Sequence, residues 1–415
     1  MLSIPAIRRY LASILLSSMV FIDHHNVSAE RLNLTDQIQY IGNPYLNRYP
    51  AESHIYARNI WDMISFNGKL YLGAGNSSNG GPAPNAGPVP VISYDPATNL
   101  FSSVFVVDED QIDVFYEFEG KLYIPGHDPK EDWSLGNFYT LSPGGWKKHR
   151  TIPGAIHTYV MTMHKGLLFA GLGTKNKKSI AVSSDYGQSW NRHQTGSSRI
   201  YDFMIVDDQL FALGPLYAKT FADQLKGITA FTNTPVMHFK ESYNFEVRKD
   251  LIIPERIFPD TEIDPTSISK AFQNTQYEGK SIYIGAKIHN DHHALPFGAY
   301  VASSLAEDKI VIEKVPLPAG SIPWDILVKG ETVYILAERK GEKITEVSVW
   351  QSNNAKNWHE LFYFEHSTFA RSFEKIEGDF YFSSGSEVYD KTNLKSEILS
   401  RDTGKIFRLK NPEKQ

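Results

Sequence analysis

His127, His157 and Tyr201 are the residues of this chain whose types best suit proton transfer near neutral pH. An imidazole titrates close to working pH, and a phenol can protonate a departing oxygen. Lys219 and Arg199 lie near Tyr201 in sequence and supply positive charge. A base, an acid and a cation are the parts needed to remove a proton made acidic by a neutralised carboxylate. No convincing pair of carboxylates accompanies them, so chemistry that needs two acids is the weaker reading.

A second group could bind rather than react. His54, Arg58, Asn76, Asn137 and Trp324 are polar or aromatic residues suited to holding a sugar. His289-Asn290-Asp291-His292-His293 spaces imidazoles so that His289 and His293 could ligate a structural Zn²⁺ or Ca²⁺, although no motif supplies a further ligand. The expected reaction needs no cofactor. Trp61-Asp62, Tyr201-Asp202 and Trp324-Asp325 repeat an aromatic–Asp pair, and recurrence of that kind favours a structural role.

What would bring such scattered residues together is a repeat. An apolar run, a turn and a second apolar run recur at MISFNGKLYLG (63–73), VFYEFEGKLYIPG (114–126), YVMTMHKGLLFAG (159–171), YDFMIVDDQLFALG (201–214), NTQYEGKSIYIG (274–285), WDILVKGETVYIL (324–336) and FEKIEGDFYF (373–382). Their turn residues, Gly68, Gly120, Gly166, Asp208, Gly279, Gly330 and Gly378, are about 42 to 71 residues apart, a blade-sized period. Each copy reads as a β-hairpin, and further strand-like segments follow it. The pattern predicts an all-β fold, a seven-bladed β-propeller of four-stranded antiparallel blades. Gln37–Ile41 is expected to complete the last blade beside Lys405–Leu409 and close the ring. The long insertion is placed at Lys240–Ser267 in blade four. Ser183-Ser184-Asp185-Tyr186-Gly187-Gln188-Ser189-Trp190 matches the Asp box, a structural turn between outer strands.

Propeller topology then sorts residues by face. Residues leading into a first strand and residues leaving a second strand share one face; the tight turns lie on the other. His54, Arg58, Asn76, His127, His157, Tyr201, Lys219, His289, His293, Arg339 and Arg371 fall on the first face, and His164 on the turn face.

Composition sets the outer bounds. The chain has 415 residues, a net charge of −5 and no cysteine, so disulfides cannot stabilise it. Nothing resembles a basic patch interleaved with aromatics, which argues against nucleic acid. Arg8 and Arg9, an apolar run from Leu11 to Ile22, and Val27-Ser28-Ala29 read as a signal peptide over residues 1–29. No other run is apolar enough to span a membrane, so residues 30–415 are expected to form one propeller domain, secreted or periplasmic, acting as a monomer.

The leader, the seven repeats, the Asp box and the stretch GHDPKEDWSLGNFY…WKKHRTIPGAIHTY resemble secreted seven-bladed propeller enzymes that attack acidic, rhamnose-containing polysaccharides. These are the ulvan lyases of polysaccharide lyase families 24 and 25, and the related rhamnose–glucuronate enzymes of glycoside hydrolase family 145. The resemblance implies a site of His127 or Asn137, then His157, Tyr201 and Lys219, with Lys219 or Arg199 neutralising a carboxylate. For the rhamnose–glucuronate group it implies His54 instead. The expected substrate is an acidic polysaccharide or oligosaccharide containing uronic acid, cleaved by β-elimination. Two alternatives stand beside it: a glycoside hydrolase, rhamnosidase- or sialidase-like, and a propeller that binds glycans or proteins without turnover.

Overall fold

The computed structural model describes residues 31–78, 83–217, 236–240, 244–251, 254–263, 267–289, 293–305, 309–388 and 399–414. Their contacts divide the chain into Met1–Arg31 and Leu32–Gln415. The expected leader, 1–29, lies outside the described residues.

Leu32–Gln415 is all-β, with seven antiparallel sheets in a ring. Each repeat supplies the first two strands of a blade. In blade one these are Asp62–Phe66 and Lys69–Gly73, followed by Val89–Asp95 and Leu100–Val107. Their tight turn has positive φ at both central residues, Asn67 at 49° and Gly68 at 74°. That is the hairpin turn whose twist matches its strands. The same signature appears at Glu119–Gly120, Lys165–Gly166, Asp207–Asp208, Glu278–Gly279 and Glu377–Gly378.

Second strands are buried on both faces because each blade packs between neighbours. Leu122, Tyr123 and Ile124 of blade two, and Ile282, Tyr283 and Ile284 of blade five, are nearly inaccessible. Each fully buried large side chain contributes about 1.5–3 kcal/mol. With no disulfide, this inter-blade core holds the ring.

The Asp box joins Ile180–Ser183 to Asn191–His193, the third and fourth strands of blade three. Asp185 Oδ1 accepts the Ser189 amide at 2.9 Å, and Ser183 Oγ accepts the Gly187 amide at 2.8 Å. Trp190 Nε1 donates to Thr151 Oγ1 of blade two at 3.0 Å, so the box also ties two blades together.

Two boundaries differ from expectation. Blade four's outer strands are Met237–Lys240 and Asn244–Val247, so the second lies inside the segment read as an insertion. Short alternating segments beside prolines carry a weak strand signal, which hid it. Leu216–Tyr217 leaves blade four and pairs with Ile268–Ser269, giving blade five a fifth strand. In the seventh sheet, Gln39–Gly42 pairs antiparallel with Ile406–Leu409.

Candidate functional site

A cavity of about 430 Å³ opens at the ends of the inner strands, away from the tight turns. Many of its lining residues lead into first strands (Tyr56, Trp61, Asp113, Arg199, Tyr201), lie near the starts of those strands (His157, Lys270, Trp324, Arg371) or follow second strands (Asn76, Ser77, His127, Glu387). Strand alternation puts these positions on one face, as the repeat implies.

His157 begins the inner strand of blade three, His157–His164. Its Nδ1 lies 2.7 Å from the His127 carbonyl oxygen. A carbonyl only accepts, so Nδ1 carries the proton and Nε2 is left as a base. Burial, reinforced by the neighbouring His127 charge, pushes the His157 pKa down to about 3. His157 is therefore neutral at any ordinary pH.

His127 follows the second strand of blade two, Lys121–Pro125, and behaves oppositely. Burial pulls its pKa down, but the Asp113 carboxylate, 2.5 Å from Nδ1, outweighs that and holds it above its ordinary value. The two histidines thus differ: Asp113 favours the charged form of His127, while burial keeps His157 a neutral base.

Rings pack in series from there. Tyr159 stacks on His157 with centroids 5.1 Å apart and meets Tyr201 at 5.0 Å. Arg199 Nη1 donates to the Tyr201 phenol oxygen at 3.0 Å, which directs the Tyr201 hydroxyl proton away from the arginine. Gly173 makes the packing possible: a Cβ there would stand 2.6 Å from His157 Cδ2 and 3.0 Å from the Tyr159 hydroxyl. Lys270, on the inner strand of blade five (Ile268–Tyr277), lies over the Tyr201 ring at 5.3 Å.

At the other end of the cavity Arg371 sits between the indoles of Trp61 and Trp324, at 4.3 and 4.8 Å. It pairs with Glu387 at 2.8 Å, and Glu387 also accepts from Tyr56 at 2.9 Å. All three side chains are almost wholly buried. This end is a rigid wall with an aromatic face, able to pack against a sugar ring.

Not every expected residue joins the cavity. His127, His157, Tyr201, Arg199, Asn76 and Trp324 line it together; His54, Arg58 and Asn137 do not. Arg58 is buried in a short 3₁₀ segment, Glu52–Arg58, where its guanidinium holds the carbonyls of Tyr49, Pro50 and Ala51. His54 lies on the same segment and its Nδ1 meets Ser53 Oγ at 3.3 Å. Asn137 is inaccessible and donates to Glu109 at 2.8 Å and to Glu131 at 3.1 Å. Of the two candidates for the first histidine's role, the cavity contains His127. Lys219 lies outside the described residues. His289 and His293 are backbone partners in an antiparallel pair, but their side chains and residues 290–292 are not described. Among the described residues no group of three or more His, Asp or Glu is arranged to hold a metal.

Among the cavity residues that the sequence pattern does not single out are Asp113, Tyr159 and Lys270. Tyr159 alternates correctly with His157 on the strand and could have been found from that period. Lys270 precedes the recognised repeat, whose strand begins earlier than its apolar pattern does.

No protein-family model matches the chain, and no curated protein matches it in sequence. Solved structures resemble it in shape alone. A chain of a mitotic checkpoint complex aligns over 99% of this chain and 100% of its own length, at 11% identity and a TM-score of 0.49. The WD40 domain of Neurospora crassa Pan2 aligns over 91% and 94%, at 9% identity and a TM-score of 0.49. The extracellular domain of a B. thetaiotaomicron protein described as a hybrid two-component system aligns over 86% of this chain, at 9% identity and a TM-score of 0.46. This chain spans 40% of that one's length. Such likeness goes no further than the propeller fold, which hosts many functions.

Proposed function

We propose that this protein is a secreted or periplasmic polysaccharide lyase that cleaves a uronic-acid-containing polysaccharide, in the manner of the ulvan and rhamnose–glucuronate lyases, by β-elimination. One observation carries the reading: a neutral histidine whose Nδ1 is committed to a backbone carbonyl stands one intervening ring, Tyr159, from a tyrosine whose oxygen is already hydrogen-bonded by an arginine.

The roles follow from the donors and acceptors. Arg199 binds the uronate carboxylate and so makes the C5 proton acidic. His157 Nε2 removes that proton. The electron pair of the C5–H bond becomes the C4=C5 double bond as the C4–O4 bond breaks, and the hydroxyl of Tyr201 protonates the departing oxygen. The His127–Asp113 pair holds the carbonyl that fixes the His157 tautomer. Charge that develops on the substrate carboxylate in the enolate-like transition state meets fixed cations, which is where most of the rate arises.

A glycoside hydrolase is the second reading, and one observation favours it. Asp202, in the same cavity, has its pKa pushed up to about 8 by burial, while Asp113 stays ionised beside His127. A protonated and an ionised carboxylate are the parts of a glycosidase. Incubation with ulvan, gum-arabic-type and other uronate polymers separates the readings. Elimination yields a 4,5-unsaturated uronate and a rise in ultraviolet absorbance; hydrolysis yields reducing sugar without one. No rise on any uronate polymer refutes the lyase.

A further inference from the structure

The repeated aromatic–Asp pairs act as clamps between blades, and one of them is broken. In blade one, Asp62 Oδ2 accepts the amide of Phe115 in blade two at 2.7 Å. In blade six, Asp325 Oδ2 accepts the amide of Phe373 in blade seven at 3.0 Å, while Oδ1 accepts the following Ile326 amide at 2.8 Å. Asp202 in blade four copies the second half alone. Its Oδ1 accepts the following Phe203 amide at 2.8 Å, but Oδ2 is buried with no hydrogen-bond partner. Only 4% of Asp202 is exposed. Where blades two and seven deliver a backbone N–H, blade five brings the charge of Lys270.

Lys270 is placed to receive something. Its ammonium lies 5.3 Å from the Tyr201 centroid and 5.7 Å from that of Phe272, and among the described residues it makes no ion pair. Burial pulls its pKa down, Asp113 and, when ionised, Asp202 favour its charge, and Arg199 opposes it. Asp113 is already paired with His127. A cation in a desolvated cavity without a direct counter-ion is costly, and an incoming anion relieves that cost. The surrounding Tyr159, Tyr201 and Phe272 rings give a ligand's apolar face somewhere to lie.

We propose that Lys270, with Arg199 beside it, forms a binding subsite for an anionic group carried on a sugar ring, a carboxylate or a sulfate ester, and that Asp202 gave up its clamp to make room for it. The subsite rests on the reading that this cavity takes acidic sugars, but not on elimination as the reaction. Burial pushes the Asp202 pKa up to about 8, so near neutrality Asp202 does not compete with the ligand for the ammonium.

Titration calorimetry of the full chain with glucuronate, glucose 6-sulfate and glucose tests this. The wild type should prefer at least one anionic sugar over glucose by about tenfold or more, the size of one charge-assisted hydrogen bond. Lys270→Gln should abolish that preference and Lys270→Arg should keep it. Where Lys270→Gln does not fold, Lys270→Met, which preserves the stem's packing on Tyr201 and Phe272, decides. Equal binding of all three sugars by the wild type overturns the subsite. So does a folded Lys270 variant without charge that keeps the preference. Preference for glucuronate identifies a carboxylate; preference for glucose 6-sulfate identifies a sulfate ester. Lys270-dependent binding with no absorbance rise on uronate polymers keeps the subsite and rejects the lyase.

Discussion

If His157 is the base, acidification should barely slow the enzyme. Take the change from pH 7 to pH 5 under kcat/KM conditions, which report groups of the free enzyme. An ordinary histidine, with a pKa of 6.5, would fall from about 76% to about 3% unprotonated, a loss of about 25-fold. With its pKa pushed down to about 3, His157 stays about 99% unprotonated at pH 5, and the loss vanishes. Stability moves the other way. The unfolded chain binds a proton near pH 6.5 that the folded His157 refuses, so stability falls with pH below that value, by about 2 kcal/mol at pH 5 from this residue. His127 offsets part of that. Its raised pKa contributes stability that is present at low pH and lost as pH rises through the folded value. The assay is the initial rate of absorbance rise at low substrate from pH 5 to 7, with tryptophan fluorescence confirming that the protein is folded. A loss near 25-fold in folded protein would refute the assignment of a desolvated, neutral His157 as base.

Three further outcomes follow from the same geometry. Tyr201→Phe removes the proton donor while leaving the ring on Tyr159 and should lower kcat by about 10²–10⁴; a change under threefold would mean that another group protonates the leaving oxygen. Gly173→Ala inserts a methyl 2.6 Å from the His157 ring, so it should displace the base and cut kcat by about 10² while the chain stays folded; wild-type turnover would show that the placement of His157 is not critical. Arg371→Met strands the buried Glu387 carboxylate, costing about 3–5 kcal/mol by urea denaturation, and adding Glu387→Leu should restore much of it. A single variant as stable as the wild type would mean the pair contributes nothing to the wall.

The hairpins were legible because turn chemistry is local. Positive φ favours Gly, Asn and Asp, and the Gly or Asp at the second turn position stands out between apolar runs, as at Gly68, Gly120 and Asp208. The shared face was legible too, since strand alternation converts position into direction for His157 and Tyr201. Side-chain orientation in irregular segments was not. Arg58 and His54 lie just before a first strand, near where His157 sits on its own, yet a 3₁₀ segment turns Arg58 onto the carbonyls of Tyr49, Pro50 and Ala51. Asn137 and His127 could not be separated by spacing, because only the buried Glu109 carboxylate shows that Asn137 is a scaffold residue. Recurrence of the aromatic–Asp pair implies a structural role, which holds for Asp62 and Asp325. Its failure at Asp202 depends on what the next blade presents, and no local pattern encodes that.

The seventh sheet has a consequence for how the molecule is made. Its outer strand, Gln39–Gly42, pairs with Ile406–Leu409, setting Gln39 opposite Arg408. These partners lie about 370 residues apart, and contacts of such long sequence separation form slowly. The six earlier blades can assemble from neighbouring segments as they emerge, but this sheet must wait for the seventh repeat and the strand that follows it. Until then Gln39–Gly42 and the second strand of blade seven, Asp379–Ser384, present unpaired backbone. A chain released short of Ile406 would keep both edges open, a condition that favours edge-to-edge aggregation and recognition by chaperones over a stable, partly formed ring.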